Sequence, residues 1–191
     1  MMAYDEMMLW SAKSELIGNA FLIANFAHFD QKRQWTGMPY IVHPVRVARM
    51  VMQDDKLDER HIAVALLHDT IEDCEETVRE QIKEDIHNKC GAYVYNTVWE
   101  LTNPSAFVDK AMPRVEKKAM DFAKLKTVSL EAKKIKMMDR LDNIYDALAP
   151  GNFIKKYLPE SMELAEICRE ADETLYQKIE ARVNELANQG E

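Results

Sequence analysis

An apolar side chain recurs at every third or fourth residue along much of the chain, and this spacing constrains the fold more than any other feature. Near the C-terminus the repeating positions are Leu164, Cys168, Ala171, Leu175, Ile179, Val183 and Leu186. Steps of three and four place side chains on one face of an α-helix, whereas a half-buried strand alternates at every second residue. We interpret this stripe as core packing, with a helix–helix dimer seam, and hence a homo-oligomer, as the alternative.

The rest of the chain favours an all-α fold of about seven or eight helices. Only five Gly and six Pro occur in 191 residues, which is few for the turns of a many-stranded sheet. The pattern predicts helices over residues 6–28, 43–53, 59–68, 75–88, 92–101, 114–125, 129–148 and 159–187. We expect Asp58 to cap the helix at 59–68 and Gly91 to separate the helices at 75–88 and 92–101. Pro150-Gly151 is expected to end the helix at 129–148. We expect a single domain over residues 1–191, with a core at about 15–150 and a C-terminal helix at about 159–187.

The charge and cysteine content exclude some classes of partner. A formal net charge of −8 argues against a nucleic acid polymer or an anionic membrane. No apolar run approaches the roughly 18 residues of a membrane span, and Asp5 and Glu6 stand where a signal peptide would be basic. Cys74, Cys90 and Cys168 share no CxxC spacing, so we expect free thiols in a reducing compartment, the cytoplasm.

Two histidines and two aspartates are candidates for one divalent-metal site. Neighbours on a helix point about 100° apart, so His68 and Asp69 can reach one ion only if it lies between their directions. His43 and Asp139, on other predicted helices, are the available further ligands. Mixed nitrogen and oxygen ligands suit Mn²⁺, Fe²⁺ or Zn²⁺ better than Ca²⁺, and they leave positions for water and phosphate.

Two further acids follow the His68-Asp69 pair at helical spacing. Glu72 lies four residues after His68, and Asp73 lies four after Asp69. Such carboxylates can exchange protons with water and a leaving group, or orient the ligands. Taken singly, each of these residues also has an ordinary interpretation: a surface pair, a helix cap at His43, a charged loop at Glu72, or a salt-bridged helix face at Asp139.

Three motifs taken together resemble the HD hydrolase domain of RelA/SpoT proteins, and most of all their stand-alone relatives, the small alarmone hydrolases. The motifs are Gly37-x-Pro39-Tyr40-Ile41-x-His43-Pro44, Ala65-Leu66-Leu67-His68-Asp69-Thr70-Ile71-Glu72-Asp73, and Lys136-x-x-Asp139-Arg140-Leu141-x-Asn143. The resemblance covers about residues 15–150. It implies an all-α, metal-dependent phosphohydrolase that removes pyrophosphate from the 3′ position of guanosine tetra- or pentaphosphate, (p)ppGpp. We expect 191 residues to leave no room for a synthetase domain.

The resemblance also implies roles for individual residues. One Mn²⁺ is expected at His43, His68, Asp69 and Asp139. Glu72 and Asp73 are expected to serve the hydrolytic water and the proton transfers, and Asn143 to contact the nucleotide near its ribose. Apart from the resemblance, we expect from their charge that Lys136 and Arg140 offset phosphate charge, with a salt bridge from Arg140 to Asp69 or Glu72 as the alternative.

The chain departs from the family pattern where the base and phosphates are recognised. Arg33 and Trp35 are the candidate base contacts, because a basic pair usually precedes the Gly-x-Pro-Tyr motif. Asp142 stands where the family often has His or Tyr, and Tyr145 replaces a common Arg. Two other functions therefore stay open: a phosphatase or triphosphohydrolase acting on another nucleotide (a dNTP or an NADPH-like phosphate), or a non-catalytic nucleotide-binding module.

Overall fold

The computed structural model describes residues 2–146 and 151–188, and it confirms the predicted all-α class. Within these residues the only extended pairing is an isolated bridge between Lys32 and Pro39. The helices are α1 (Met2–Ser11), α2 (Glu15–Ala27), α3 (Val42–Met52), α4 (Glu59–Leu67), α5 (Thr70–Asp73), α6 (Arg79–Leu101), α7 (Arg114–Leu125), α8 (Leu130–Asp146), α9 (Gly151–Cys168) and α10 (Glu173–Asn188). No helix in the described ranges is both long and apolar enough to cross a bilayer.

The start of α4 follows from its local sequence. Asp58 Oδ1 accepts a hydrogen bond from the Arg60 backbone N–H at 2.9 Å, and the Asp58 N–H donates to His61 Nδ1 at 3.0 Å. This reciprocal cap satisfies backbone groups that a helix start otherwise leaves unpaired. The predicted cap at Asp58 is therefore confirmed.

Two of the long predicted helices are each broken into two, so the bundle contains more helices than expected. Residues 6–28 divide into α1 and α2 before Ser14, whose Oγ accepts from the Ile17 N–H at 3.3 Å and donates to Glu59 Oε2 at 2.8 Å. Residues 159–187 divide at the 3-10 turn Arg169–Ala171, and Pro159 lies inside α9. The prediction of one continuous helix in each region was wrong. In each region the two helices pack on the same core, so the spacing of the apolar residues does not show where one helix ends and the next begins.

The predicted separation at Gly91 is confirmed. Gly91 has φ 86° and ψ 165°, which are not helical angles, so α6 consists of two helical segments that meet at a kink there. The first segment begins later than the predicted residue 75, at Arg79, because a 3-10 turn precedes it. The predicted end of α8 at Leu148 and Pro150 lies outside the described residues.

Helix α4 lies at the centre of the bundle, packed against α2, α3 and α6. Residues 63–67 are fully buried, and burial of each leucine among them contributes about 1.5–3 kcal/mol. This firmly positions the chain that follows α4. Helix α8 packs against α3, α9 and α10, and the C-terminal stripe is buried in the same core, which supports its interpretation as core packing.

Candidate active site

The four predicted ligands converge at one buried point between α3, α4 and α8. His43 lies in the first turn of α3, His68 and Asp69 follow α4, and Asp139 lies in α8. His43 Nε2 is 3.1 Å from Asp139 Oδ1 and 3.6 Å from Asp69 Oδ2. His68 Nε2 is 3.1 Å from Asp69 Oδ2 and 3.7 Å from Asp139 Oδ1. The atoms of His43, His68 and Asp69 are close enough together to hold one metal ion.

The adjacent pair reaches this point because the chain makes a helical turn between α4 and α5. Helix α4 ends at Leu67, yet His68 and Asp69 both keep right-handed helical dihedral angles. The Asp73 N–H donates to the Asp69 carbonyl at 2.9 Å, and Thr70 Oγ1 donates to the Leu67 carbonyl at 2.7 Å. The helical path therefore continues, and the two neighbouring side chains diverge around a common centre.

The hydrogen bonds of the two rings leave both Nε2 atoms facing carboxylates. His68 Nδ1 lies 2.7 Å from the Ala65 carbonyl oxygen, and His43 Nδ1 lies 2.7 Å from Asp142 Oδ2. Because both partners are acceptors, each Nδ1 carries a proton, and a neutral ring then presents a lone pair at Nε2. His68 Nε2 is buried and has no hydrogen-bond partner among the described residues. A lone pair facing anionic oxygens calls for a cation, so the donor set fits a divalent metal.

In the metal-free protein, protons on the imidazole rings balance the negative charge of the carboxylates. Burial alone would lower the pKa of His43, but its hydrogen bonds to Asp139 and Asp142 outweigh burial and raise it. Burial would also lower the pKa of His68, but the charges of Asp69 and Asp139 outweigh burial and raise that pKa well above its usual value. The Asp139 pKa shifts well below its usual range: burial raises it, but Lys136 and the two histidines more than compensate.

Glu72 lies beside this cluster and is held by Asn103, in the segment that follows α6. Its two carboxylate oxygens accept from the backbone N–H of Asn103 at 3.0 Å and from Asn103 Nδ2 at 3.1 Å. Burial and the charge of Asp69 raise the Glu72 pKa against the opposing effect of Lys136. Nothing in the sequence around Asn103 indicated this contact, which joins residues 31 positions apart.

Asp73 shares a tyrosine hydroxyl with one of the candidate ligands. Tyr40 Oη lies 2.7 Å from Asp69 Oδ2 and 3.1 Å from Asp73 Oδ2. Although the Asp73 side chain is exposed, surrounding protein and the charges of Asp69 and Glu72 raise its pKa to about 7. Tyr40 belongs to the Pro-Tyr motif, but its motif position alone did not assign it this link.

The two predicted cations of α8 point in different directions. Lys136 is buried, and its Nζ lies 2.9 Å from Asp139 Oδ2, at the edge of the cluster. Arg140 lies against α9 instead of Asp69 or Glu72: its Nη1 is 3.4 Å from Ser161 Oγ and its guanidinium lies 4.4 Å from the centre of the Tyr157 ring. Both line a cavity of about 40 Å³ that also contacts Asn103, Lys118 and Lys124.

The remaining predicted contacts form a chain leading away from Asp139. Asn143 Nδ2 donates to Asp139 Oδ1 at 2.6 Å, and Asn143 Oδ1 accepts from Arg33 Nη2 at 2.8 Å. Arg33 is buried and also pairs with Asp146 at 3.3 Å. Trp35 is half-buried and meets the Tyr157 ring edge-on, with 6.1 Å between ring centres. Asn143 and Arg33 are thus connected to Asp139, with Arg33 already engaged inside the protein, whereas Trp35 contacts Tyr157.

Comparison with known proteins agrees with this arrangement. The HD domain family model matches residues 20–151, which is more than half of the chain. The chain therefore belongs to the HD domain family, a class of metal-dependent hydrolases.

Its relatives include proteins named guanosine-3′,5′-bis(diphosphate) 3′-pyrophosphohydrolase. The Vibrio cholerae protein is 35% identical over 135 residues, 68% of this chain but only 18% of its own length. The MESH1 proteins of Xenopus tropicalis and Homo sapiens are 36% and 31% identical, over 64% and 71% of this chain and 66% and 71% of theirs. A solved structure described as a metazoan ortholog of SpoT that hydrolyzes ppGpp superposes with a TM-score of 0.76 at 24% identity, covering 90% of this chain and 96% of that one. This last likeness shows the shared fold.

Proposed function

We propose that this protein is a metal-dependent 3′-pyrophosphohydrolase of guanosine 3′,5′-bis(diphosphate), the alarmone (p)ppGpp. The observation that carries the proposal is the pair of buried imidazole Nε2 atoms facing Asp69 and Asp139, with Glu72 and Asp73 beside them. The names of the animal relatives, two of which align over about two thirds or more of their own length, support the substrate.

The proposed metal ligands are His43, His68, Asp69 and Asp139, and the proposed ion is Mn²⁺. Two imidazoles and two carboxylates suit a divalent transition metal. When bound, such an ion lowers the pKa of a water molecule and polarises the phosphoryl group to be attacked.

Glu72 and Asp73 are the proposed proton-transfer residues. A group acts best as a general acid or base when its pKa lies near the working pH, and in the metal-free protein burial and the charges of Asp69 and Glu72 raise the Asp73 pKa to about 7. Glu72, oriented by Asn103, would position or deprotonate the attacking water, and Asp73 would exchange a proton with the leaving oxygen.

The proposed substrate contacts surround this centre. Lys136 and Arg140 line a cavity that also contacts Asn103, the hydrogen-bond partner of Glu72, and they would offset phosphate charge there. Asn143 would meet the ribose, and Arg33 with Trp35 would border the base. The hydrogen bonds that connect Asp139 to Asn143 and Asn143 to Arg33 support the roles of these two residues.

We also propose that residues 1–191 act as one domain and that the protein works in the cytoplasm on a small nucleotide. The packing of α10 on α8 and α9 supports a single domain. Three free buried cysteines support a reducing compartment such as the cytoplasm.

The test is product analysis on a nucleotide panel with Mn²⁺. Purified protein is incubated with ppGpp, pppGpp, dNTPs and NADPH, and pyrophosphate, orthophosphate and triphosphate are measured separately. We expect pyrophosphate from the 3′-pyrophosphorylated guanosines. Orthophosphate from NADPH, or triphosphate from dNTPs, with no reaction on ppGpp, would instead establish one of the alternative hydrolases.

The stabilisation provided by Mn²⁺ is expected to increase as the pH rises from about 6 to about 8. Without metal, His43 and His68 have raised folded pKa values. Protonation of these two histidines stabilises the folded protein at pH values below their pKa in the unfolded chain. This stabilisation is lost as the pH rises through their pKa values in the folded protein. Mn²⁺ binds the rings only when their Nε2 atoms are unprotonated. Its binding therefore stabilises the protein more at pH 8 than at pH 6.

The measurement is the Tm with Mn²⁺ minus the Tm with chelator at each pH. Groups distant from the ligands cancel in this difference. A difference that shrinks as the pH rises would contradict the assigned ligands.

Replacing Asn103 by Ala is expected to lower kcat about tenfold, because Glu72 loses one of its two orienting donors while the backbone N–H remains. Steady-state kinetics on ppGpp provide the measurement. Asn96→Ala, at an exposed position of the preceding helix α6, is the matched control and should match wild type. Equal kcat for both variants would show that Asn103 does not orient Glu72.

A further inference from the structure

We propose that Asp142 is a positioning residue for the metal centre: its carboxylate fixes the His43 ring with Nε2 towards the cation and strengthens that ligand by its charge. The inference rests on the proposed role of His43 as a ligand. It assigns a function to a position at which the chain departs from the motifs that it resembles.

One helix holds both nitrogens of the His43 ring. Asp142 and Asp139 are three residues apart in α8, and therefore on one face. Asp142 Oδ2 lies 2.7 Å from His43 Nδ1, and Asp139 Oδ1 lies 3.1 Å from His43 Nε2. His43 is 1% exposed and Asp142 7% exposed, so water does not compete strongly for either contact. The ring is thereby held in one plane and one tautomer.

The two candidate histidine ligands differ in the hydrogen-bond partner of their Nδ1 atoms. His68 Nδ1 donates to the neutral Ala65 carbonyl, whereas His43 Nδ1 faces a carboxylate. A hydrogen bond to an anion is stronger than one to a neutral acceptor, and it makes the opposite nitrogen a better electron donor. His43 should therefore be the ligand whose metal bond depends more on its partner.

The Asp142 carboxylate also has a cationic neighbour. Arg46 Nη1 lies 3.7 Å from Asp142 Oδ1 and 2.7 Å from Asp146 Oδ1. The Arg46 guanidinium contacts Asp142 through Oδ1, whereas Oδ2 faces His43. Arg46 thus helps to orient the carboxylate that positions the His43 ring.

The experiment compares Asp142→Ala, Asp142→Asn and Asp146→Asn with wild type. Asp146 lies one turn further along α8 and pairs with the same Arg46 but does not contact His43, so it controls for loss of a buried ion pair. Mn²⁺ and Co²⁺ affinities are measured by calorimetry, after circular dichroism has shown that each variant is folded. We expect Asp142→Ala to weaken binding about 10- to 100-fold, Asp142→Asn to weaken it less, and Asp146→Asn to stay near wild type.

A tautomer measurement separates positioning from general destabilisation. In the Zn²⁺-loaded protein, ¹H–¹⁵N NMR should show His43 protonated at Nδ1 in wild type and in Asp146→Asn. Wild-type affinity in both Asp142 variants would overturn the inference while leaving the metal site intact. Absence of metal binding by the wild type would instead overturn the proposed function.

Discussion

Replacing Glu72 by Gln is expected to lower the turnover of ppGpp by about 10²- to 10⁴-fold while metal affinity stays near wild type. Gln has nearly the same shape, and its amide oxygen can still accept one of the two Asn103 hydrogen bonds. It cannot accept a proton at neutral pH. Glu72 contacts none of the four proposed ligands directly in the hydrogen bonds of the described site, so its loss should affect the reaction and spare the ion.

The measurement pairs kcat with a Mn²⁺ titration on the same preparation. Glu76→Gln is the matched control, because Glu76 is an exposed acid of the same charged segment and should tolerate the change. Undiminished turnover in Glu72→Gln would remove Glu72 from the mechanism. If the wild type binds nucleotide without hydrolysing it, and Glu72→Gln binds it equally, the protein is a non-catalytic binding module.

Replacing Asp139 by Asn is expected to lower activity by about 10³-fold or more and to abolish most of the Mn²⁺-induced shift in Tm. Asp139 is the junction of the site: its carboxylate meets His43, Lys136 and Asn143. Metal-assisted stabilisation of developing charge contributes several kcal/mol, and each 1.36 kcal/mol corresponds to a factor of ten in rate. Loss of one of the two proposed carboxylate ligands should remove most of that contribution.

The same substitution should destabilise the metal-free protein, because the buried Lys136 ammonium loses its nearest anion. Breaking a buried pair by removing one partner costs about 3–5 kcal/mol. Asp121→Asn is the control: Asp121 is also buried, and it accepts hydrogen bonds from Ser105, but it lies outside the ligand cluster. Near-normal activity of Asp139→Asn at saturating Mn²⁺ would refute the ligand assignment.

Local sequence predicted the elements that are stabilised locally. The cap at Asp58 and the bounds of α7 needed only neighbouring residues, so they could be read from the chain. The breaks at residues 12–14 and 169–172 could not, because an apolar stripe continues through them to the same core. Pro159 was predicted to begin a helix but lies within α9.

The sequence by itself determined the all-α class. It also predicted the set His43, His68, Asp69 and Asp139 and the two acids beside it, because side-chain chemistry, helical spacing and the three family motifs can all be read from it. Only the tertiary structure decided which atoms face one another. The contacts of Asp142 with His43 and of Asn103 with Glu72 join residues 99 and 31 positions apart. Such pairs form only when helices pack, since packing sets the direction and distance of each side chain. Packing also turned Arg140 towards Tyr157 and Arg33 towards Asp146, contacts that no local pattern predicted.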